Sequence, residues 1–296
     1  VLTEGSVYEL LRRDPRIEFD PHIAHAGLIY DDASRAVLAD VHAAYIEIAR
    51  ERGLPIIAFA DTWRASAARI AMSPFRGRAV NRDNIEFLRG VAAESSARVF
   101  FGALIGPRGD AYRPEEAPSM AEAIRDHAAQ IDDLSEAGAE IIIAATLPSF
   151  GEARGIATLL ARTEKPWMLS FVVRPAGVIL DGTPLENAVR EIDASVPKAP
   201  IGYSINCVHP DIARQSLSRL SPEIGARFIA FQGNASARTP EELDNLPHVD
   251  RSDAPAFAAS MQSLVRGSSM RIVGGCCGTD VEHMRAVAAG VLDIRH

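Results

Sequence analysis

Cysteine is scarce in this chain of 296 residues: there are three, Cys207, Cys276 and Cys277. So few rule out a disulfide-built scaffold, and a hydrophobic fraction of 47% leaves no need for one. No stretch approaches the ~18 consecutive apolar residues of a membrane span. No excess of basic residues is present either. With 39 acidic against 31 basic side chains the net charge is −8, which argues against a nucleic-acid binder. G-x-S-x-G elbows, Walker loops and G-x-G-x-x-G turns are all missing, which counts against hydrolase, nucleotide-triphosphate and dinucleotide chemistry. The opening Val1-Leu2-Thr3-Glu4 lacks the basic start and apolar middle of a signal peptide. With so few cysteines, this predicts a reducing, cytoplasmic setting. Internal repeats, low-complexity tracts and convincing linkers are absent, so a single domain over residues 1–296 is expected.

The three cysteines fall into two short clusters, Asn206-Cys207 and Gly274-Gly275-Cys276-Cys277-Gly278-Thr279. A buried cysteine often acts only as a small hydrophobe. That reading weakens for a pair set among three glycines, which offer little to pack against. Adjacent cysteines rarely bridge one another, because a disulfide wants Cα atoms ~5.5 Å apart with a defined torsion. A redox pair would be expected as C-x-x-C, and no resolving cysteine lies nearby. Two neighbouring thiolates and a distant third can instead share one zinc and leave its fourth tetrahedral position open for chemistry.

Short apolar runs alternate with longer amphipathic stretches. The expected strands are residues 1–2, 55–59, 98–104, 140–144, 167–173, 201–205, 227–231 and 270–273. The expected helices are residues 34–52, 83–95, 119–137, 151–163, 184–194, 210–219, 254–266 and 281–289. Ser119 with Glu122 has capping-box spacing, Gly138 reads as a helix stop, and Asp280 as an N-cap. Eight strand–helix units in about 300 residues predict an α/β fold, a single closed (β/α)8 barrel of the TIM type, with an open doubly wound sheet as the alternative. In a barrel, Cys207 after the sixth strand and Cys276-Cys277 after the eighth meet on the C-terminal rim, where barrel enzymes place their active sites. Residues 239–253, charged and proline-bearing, read as a loop after the seventh strand.

The cysteine pattern resembles the signature of the homocysteine S-methyltransferase family, whose members form methionine using betaine, S-methylmethionine or cobalamin. Weaker similarities run along the chain: Gly5 with Glu9-Leu10, His42 and Tyr45, Thr62, Gly106-Pro107 with Gly109, Thr146-Leu147-Pro148, and Glu152-Ala153. The resemblance implies a zinc-bearing barrel that activates a thiol, most simply homocysteine, toward a small activated methyl donor. Cys207, Cys276 and Cys277 would bind Zn2+. Glu4, Gly5, Ser6, Thr146 and Asn206 would contact the substrate. No protein group beyond the metal ligands would be needed as a base.

Two departures bear on the acceptor. The family's aspartate before the first glycine is matched here by Glu4. The glutamate expected just before Thr146, which in the family holds the amino group of homocysteine, is Ala145. A different thiol acceptor, or a non-catalytic zinc- or thiol-binding relative, are the alternatives. Neither nucleic acid nor membrane is an expected partner, and a homo-oligomer is compatible with the sequence. His209 is considered as a fourth ligand, but Pro210 marks it instead as preceding a helix. His22, His25 and His248 read as surface residues. Trp63 and Arg64 read equally as part of a donor pocket or as rim packing.

Overall fold

The computed structural model describes residues 1–238, 242 and 250–293. Eight parallel strands close into a barrel: β1 Leu2–Thr3, β2 Ile56–Ala60, β3 Val99–Ile105, β4 Ile141–Leu147, β5 Trp167–Phe171, β6 Gly202–Val208, β7 Phe228–Gly233 and β8 Ile272–Gly275. Each pairs with its sequence neighbours, and β1 closes the ring against β8 through Leu2 and Val273. The principal helices that follow the strands are α1 Asp32–Arg52, α2 Val80–Ala92, α3 Met120–Glu136, α4 Phe150–Leu160, α5 Leu185–Ser195, α6 Pro210–Leu217, α7 Ala254–Arg266 and α8 Val281–Asp293.

Side chains of period two divide the strands between two cores. Ile57, Phe59, Ile141, Ile143, Ala145, Met168 and Ala230 fill the barrel interior. Ile56, Ala58, Ala60, Ile142 and Ala144 face the helices, where Ile85, Leu88, Ile131, Leu134 and Ile156 meet them. Both faces of the sheet are therefore apolar, which is why the strands read as continuous hydrophobic runs. The capping box of α3 is present, Gly138 takes a left-handed φ of 89°, and Asp280 accepts from the backbone of Glu282 and His283.

The expected fourth and sixth strands end too early. β4 runs through Thr146 and β6 through Cys207, because each carries an irregularity in pairing near its C-terminal end that keeps the ladder going beyond it. The fifth expected strand stops at Phe171, and residues 173–174 pair with 178–179 in a separate hairpin. Short helices Val7–Arg12, Ala67–Met72 and Pro222–Gly225 and a 3-10 turn at His25–Tyr30 were too brief to show a period. Of the expected loop 239–253, residues 239–241 and 243–249, with His248, lie outside the described residues.

A buried ionic string crosses the first two units. His42 on α1 donates through Nδ1 to Glu4 (2.6 Å) and through Nε2 to Asp61 (3.0 Å), and Asp61 also faces His25 Nε2 at 3.1 Å. The second Glu4 oxygen accepts from Phe59 N at 2.9 Å. All four side chains are buried, so His25 is not the surface residue its polar neighbours suggest. Burial alone would push the His42 pKa down, but the Asp61 and Glu4 carboxylates outweigh it and raise it to about 10. Asp61 is held well below the usual carboxylate range: burial opposes this, and the His42 and His25 charges prevail.

The sign follows from linkage. A raised histidine pKa gives stability that is complete below the ordinary range near 6.5 and lost as pH rises through about 10. The depressed Asp61 gives stability that is present at neutral pH and lost in acid. His42→Gln, which strands two buried acids, should cost about 3–5 kcal/mol at pH 7. It should also flatten the decline in urea midpoint between pH 7 and 10. An alkaline slope equal to that of the parent chain would contradict this assignment.

Candidate active site

The C-terminal ends of the strands surround a cavity of about 1200 Å³ whose lining includes Glu4, Gly5, Ser6, Thr146, Asn206, Cys207, Cys276 and Cys277. Every residue singled out from the sequence as a ligand or contact thus borders one space. The Sγ atoms of the three cysteines lie within 4.8 Å of one another. Sulfurs around a tetrahedral zinc, at bond lengths of ~2.3 Å, lie about 3.8 Å apart, so this spacing fits such an ion with small side-chain adjustments.

Cys207 reaches the cluster through a strained backbone. Its φ is 57°, and that of Thr146 on β4 is 64°, both in the left-handed region that β-branched and other non-glycine residues avoid. Each lies within a pairing irregularity that turns the strand end inward. Asn206 holds the two together. Its Oδ1 accepts from Thr146 N (2.9 Å) and Ser170 Oγ (2.7 Å), and its Nδ2 donates to Thr146 Oγ1 (2.8 Å). Thr146 in turn helps to lower the pKa of the Cys207 thiol. Asn206 therefore orders the turn.

The paired cysteines arrive on a turn that only glycine permits. A Cβ on Gly274 would lie 1.8 Å from Thr3 Oγ1, and one on Gly275 would lie 2.2 Å from Thr279 Oγ1. The missing side chains let β8 and the Cys276-Cys277 turn pass directly over the end of β1. Hydrogen bonds fasten this contact: Gly275 N to Glu4 O, Ser6 N to Thr279 Oγ1, and Gly278 N to a Glu9 carboxylate oxygen. Ser6 also caps the helix Val7–Arg12. Across the rim, Cys276 N donates to Gly233 O at 2.7 Å.

Three thiols this close cannot all ionise alone. The neighbouring Cys276 and Cys277 hold the Cys207 pKa well below the thiol range, while their own are pushed up. A cation bound among the three sulfurs would replace their protons. His209 stays outside it, accepting from Asp211 N (3.3 Å) as the N-cap of α6, with its pKa lowered by burial.

Two neighbours of the cluster escaped the sequence reading. Tyr112, on the loop after β3, lines the cavity with the cysteines, and burial followed by the cysteine charges raises its pKa. Asn234, just after β7, donates to Cys207 O at 2.9 Å, and its own Oδ1 is buried without a hydrogen-bond partner. Gly233-Asn234 at a strand end was the available signal for the second. Nothing local marks the first. Beyond the cysteines, Tyr8, Phe19 and Trp63 line the same cavity, with ring centroids 5.0 Å apart for Tyr8–Phe19 and 6.4 Å for Tyr8–Trp63.

Comparison with known proteins agrees with this geometry. The family profile for homocysteine S-methyltransferase matches residues 2–291. The homocysteine S-methyltransferase YbgG of Bacillus subtilis is 27% identical over 182 residues, 61% of this chain and 56% of that protein. The homocysteine S-methyltransferase of Escherichia coli is 25% identical over 167 residues, 55% of this chain and 51% of its own length. The chain thus spans about half the length of these curated relatives. Crystal structures of the Escherichia coli homocysteine methyltransferase MmuM share the fold. The oxidized form gives a TM-score of 0.77 at 21% identity and the metallated form 0.75 at 20%, each covering 98% of this chain and 95% of that one. A profile match over nearly the whole barrel, with the cysteines converging where the fold places its chemistry, makes this chain a member of the homocysteine S-methyltransferase family.

Proposed function

We propose that the protein is a zinc-dependent thiol S-methyltransferase, moving a methyl group from a small activated donor to a thiol, with homocysteine as first acceptor and methionine as product. The observation that carries this is the convergence of Cys207, Cys276 and Cys277 at the floor of an open cavity. Those three sulfurs would hold Zn2+, with the fourth position left to the acceptor. Zinc bound there would supply the Lewis acidity that keeps an acceptor thiol, ordinarily protonated at neutral pH, in its thiolate form.

The chain's own residues set the surroundings of that sulfur. Thr146 and Tyr112 line the cavity with Cys207 and act on its thiol electrostatically. The aromatic faces of Tyr8, Phe19 and Trp63 suit a sulfonium or quaternary ammonium donor, which rings attract through their quadrupoles. Three free thiols call for a reducing compartment, for which the cytoplasm is the simplest choice.

Ala145 favours a second reading, in which the acceptor is a thiol without an amino group. No carboxylate replaces the expected glutamate at that position, and both Glu4 oxygens are already engaged by His42 and Phe59 N. An unpartnered ammonium in the cavity would be costly.

Two experiments test these readings. Replacing any one cysteine by alanine should abolish both tight zinc binding and methyl transfer, measured as metal per chain and product formed. A variant retaining full zinc and full rate would refute the assignment. Ala145→Glu should raise homocysteine affinity about tenfold or more, the usual worth of a buried charged hydrogen bond. An unchanged dissociation constant would remove the ground for the second reading.

A further inference from the structure

Among the described residues, four arginines are partly buried: Arg64, Arg69, Arg154 and Arg227. Two of them are neutralised in the ordinary way, Arg154 by Glu191 at 2.6 Å and Arg227 by Asp193 at 3.0 Å. Arg64 and Arg69 form no ion pair among the described residues. Arg64 Nη1 donates to Pro107 O (3.2 Å) and Gly109 O (2.8 Å). Arg69 donates to His22 O (3.1 Å) and Arg108 O (3.0 Å). Carbonyls fix the position of these guanidinium groups, and the Asp110 and Glu152 charges offset that of Arg64 without forming an ion pair.

Both side chains line the cavity that contains the cysteines. Arg64 lies over the Trp63 ring, 4.4 Å from its centroid, and Trp63 Nε1 donates to Ala145 O at 3.3 Å, beside Thr146. Arg64 therefore stands across one indole from the turn that orients Cys207. Asp110 also borders the cavity, but its Oδ1 accepts from Tyr112 N at 2.8 Å, and it pairs with neither arginine. Desolvation lowers the pKa of both guanidinium groups, and in Arg64 the Arg69 charge adds to the effect. Two partly buried like charges facing one space are unfavourable unless an anion comes between them.

We propose that Arg64 and Arg69 form an oxyanion subsite, which takes the carboxylate or phosphate group of a substrate whose reactive end reaches the cysteines. Guanidinium forks suit this chemistry, because their paired N–H groups match two oxygens of a carboxylate or phosphate. The cavity, at about 1200 Å³, has room for an anionic tail together with a second molecule at the metal. The inference rests on the methyltransferase reading only for the identity of the ligand; the subsite itself is tested without turnover.

Calorimetric titration of the zinc-loaded full chain with inorganic phosphate, and separately with malonate, at constant ionic strength reads the site directly. Saturable binding of about one anion per chain is expected, and the tighter probe tells whether the natural group is a phosphate or a carboxylate. Arg64→Gln with Arg69→Gln should weaken it by about tenfold or more, and the single variants should fall between. Lysine replacements should retain more affinity than glutamine, because they keep the charge and lose only the fork. Unaltered zinc stoichiometry and melting temperature show that each variant is folded. Failure of both probes to bind the parent chain, or an affinity within about twofold of it in the double glutamine variant, would overturn the subsite. Neither result would depend on whether methyl transfer is observed.

Discussion

Everything at the rim depends on one side-chain amide. Asn206 uses both ends of its carboxamide to hold Thr146, and Ser170 completes the acceptor oxygen. Thr146 and Cys207 both stand at left-handed φ, a conformation that costs of order 1–3 kcal/mol per residue. A buried amide making three hydrogen bonds offsets such a cost, since the groups it satisfies would otherwise be stranded away from water. Without that lock the ends of β4 and β6 would relax toward regular strands, and the Cys207 sulfur would leave the cluster. The strain sits where the chemistry is proposed, while the barrel wall below it is regular and apolar.

The other half of the cluster is positioned by a different device. Gly274 and Gly275 remove the side chains that would keep β8 from the end of β1, and Thr279, Glu4 and Glu9 bind the resulting turn. Residues more than 270 positions apart are joined in this seam. The ionic string of Glu4, His42 and Asp61 then ties the same end of β1 to α1 and β2. Glu4 is accordingly both a wall of the cavity and a structural ion, and its occupied oxygens leave little capacity for an incoming ammonium group.

Much of this was legible in the sequence because it is periodic or compositional. Alternating apolar and amphipathic segments gave the barrel, and the order of the elements then brought Cys207 toward Cys276 and Cys277 on one rim. The irregular pairing that extends β4 and β6 was not legible, because a positive φ at Thr146 or Cys207 leaves no mark when the residue is not glycine. Tyr112 comes from a loop whose path is set by contacts with distant segments, and His25 is buried by the fold of a loop that looks polar in one dimension. The arginines without an ion pair show the same limit. An arginine's charge is visible in a sequence, whereas the lack of a partner is a property of the folded surroundings.

The central claim is that three protein sulfurs form an open metal site that accepts a thiol. Zinc-edge X-ray absorption of the zinc-loaded protein, before and after addition of homocysteine and of amine-free thiols, tests it most directly. The account predicts three sulfur neighbours at about 2.3 Å, rising to four when an acceptor thiol is added. Fewer than three sulfurs in the resting protein, or a count that stays at three with every thiol supplied, would contradict it.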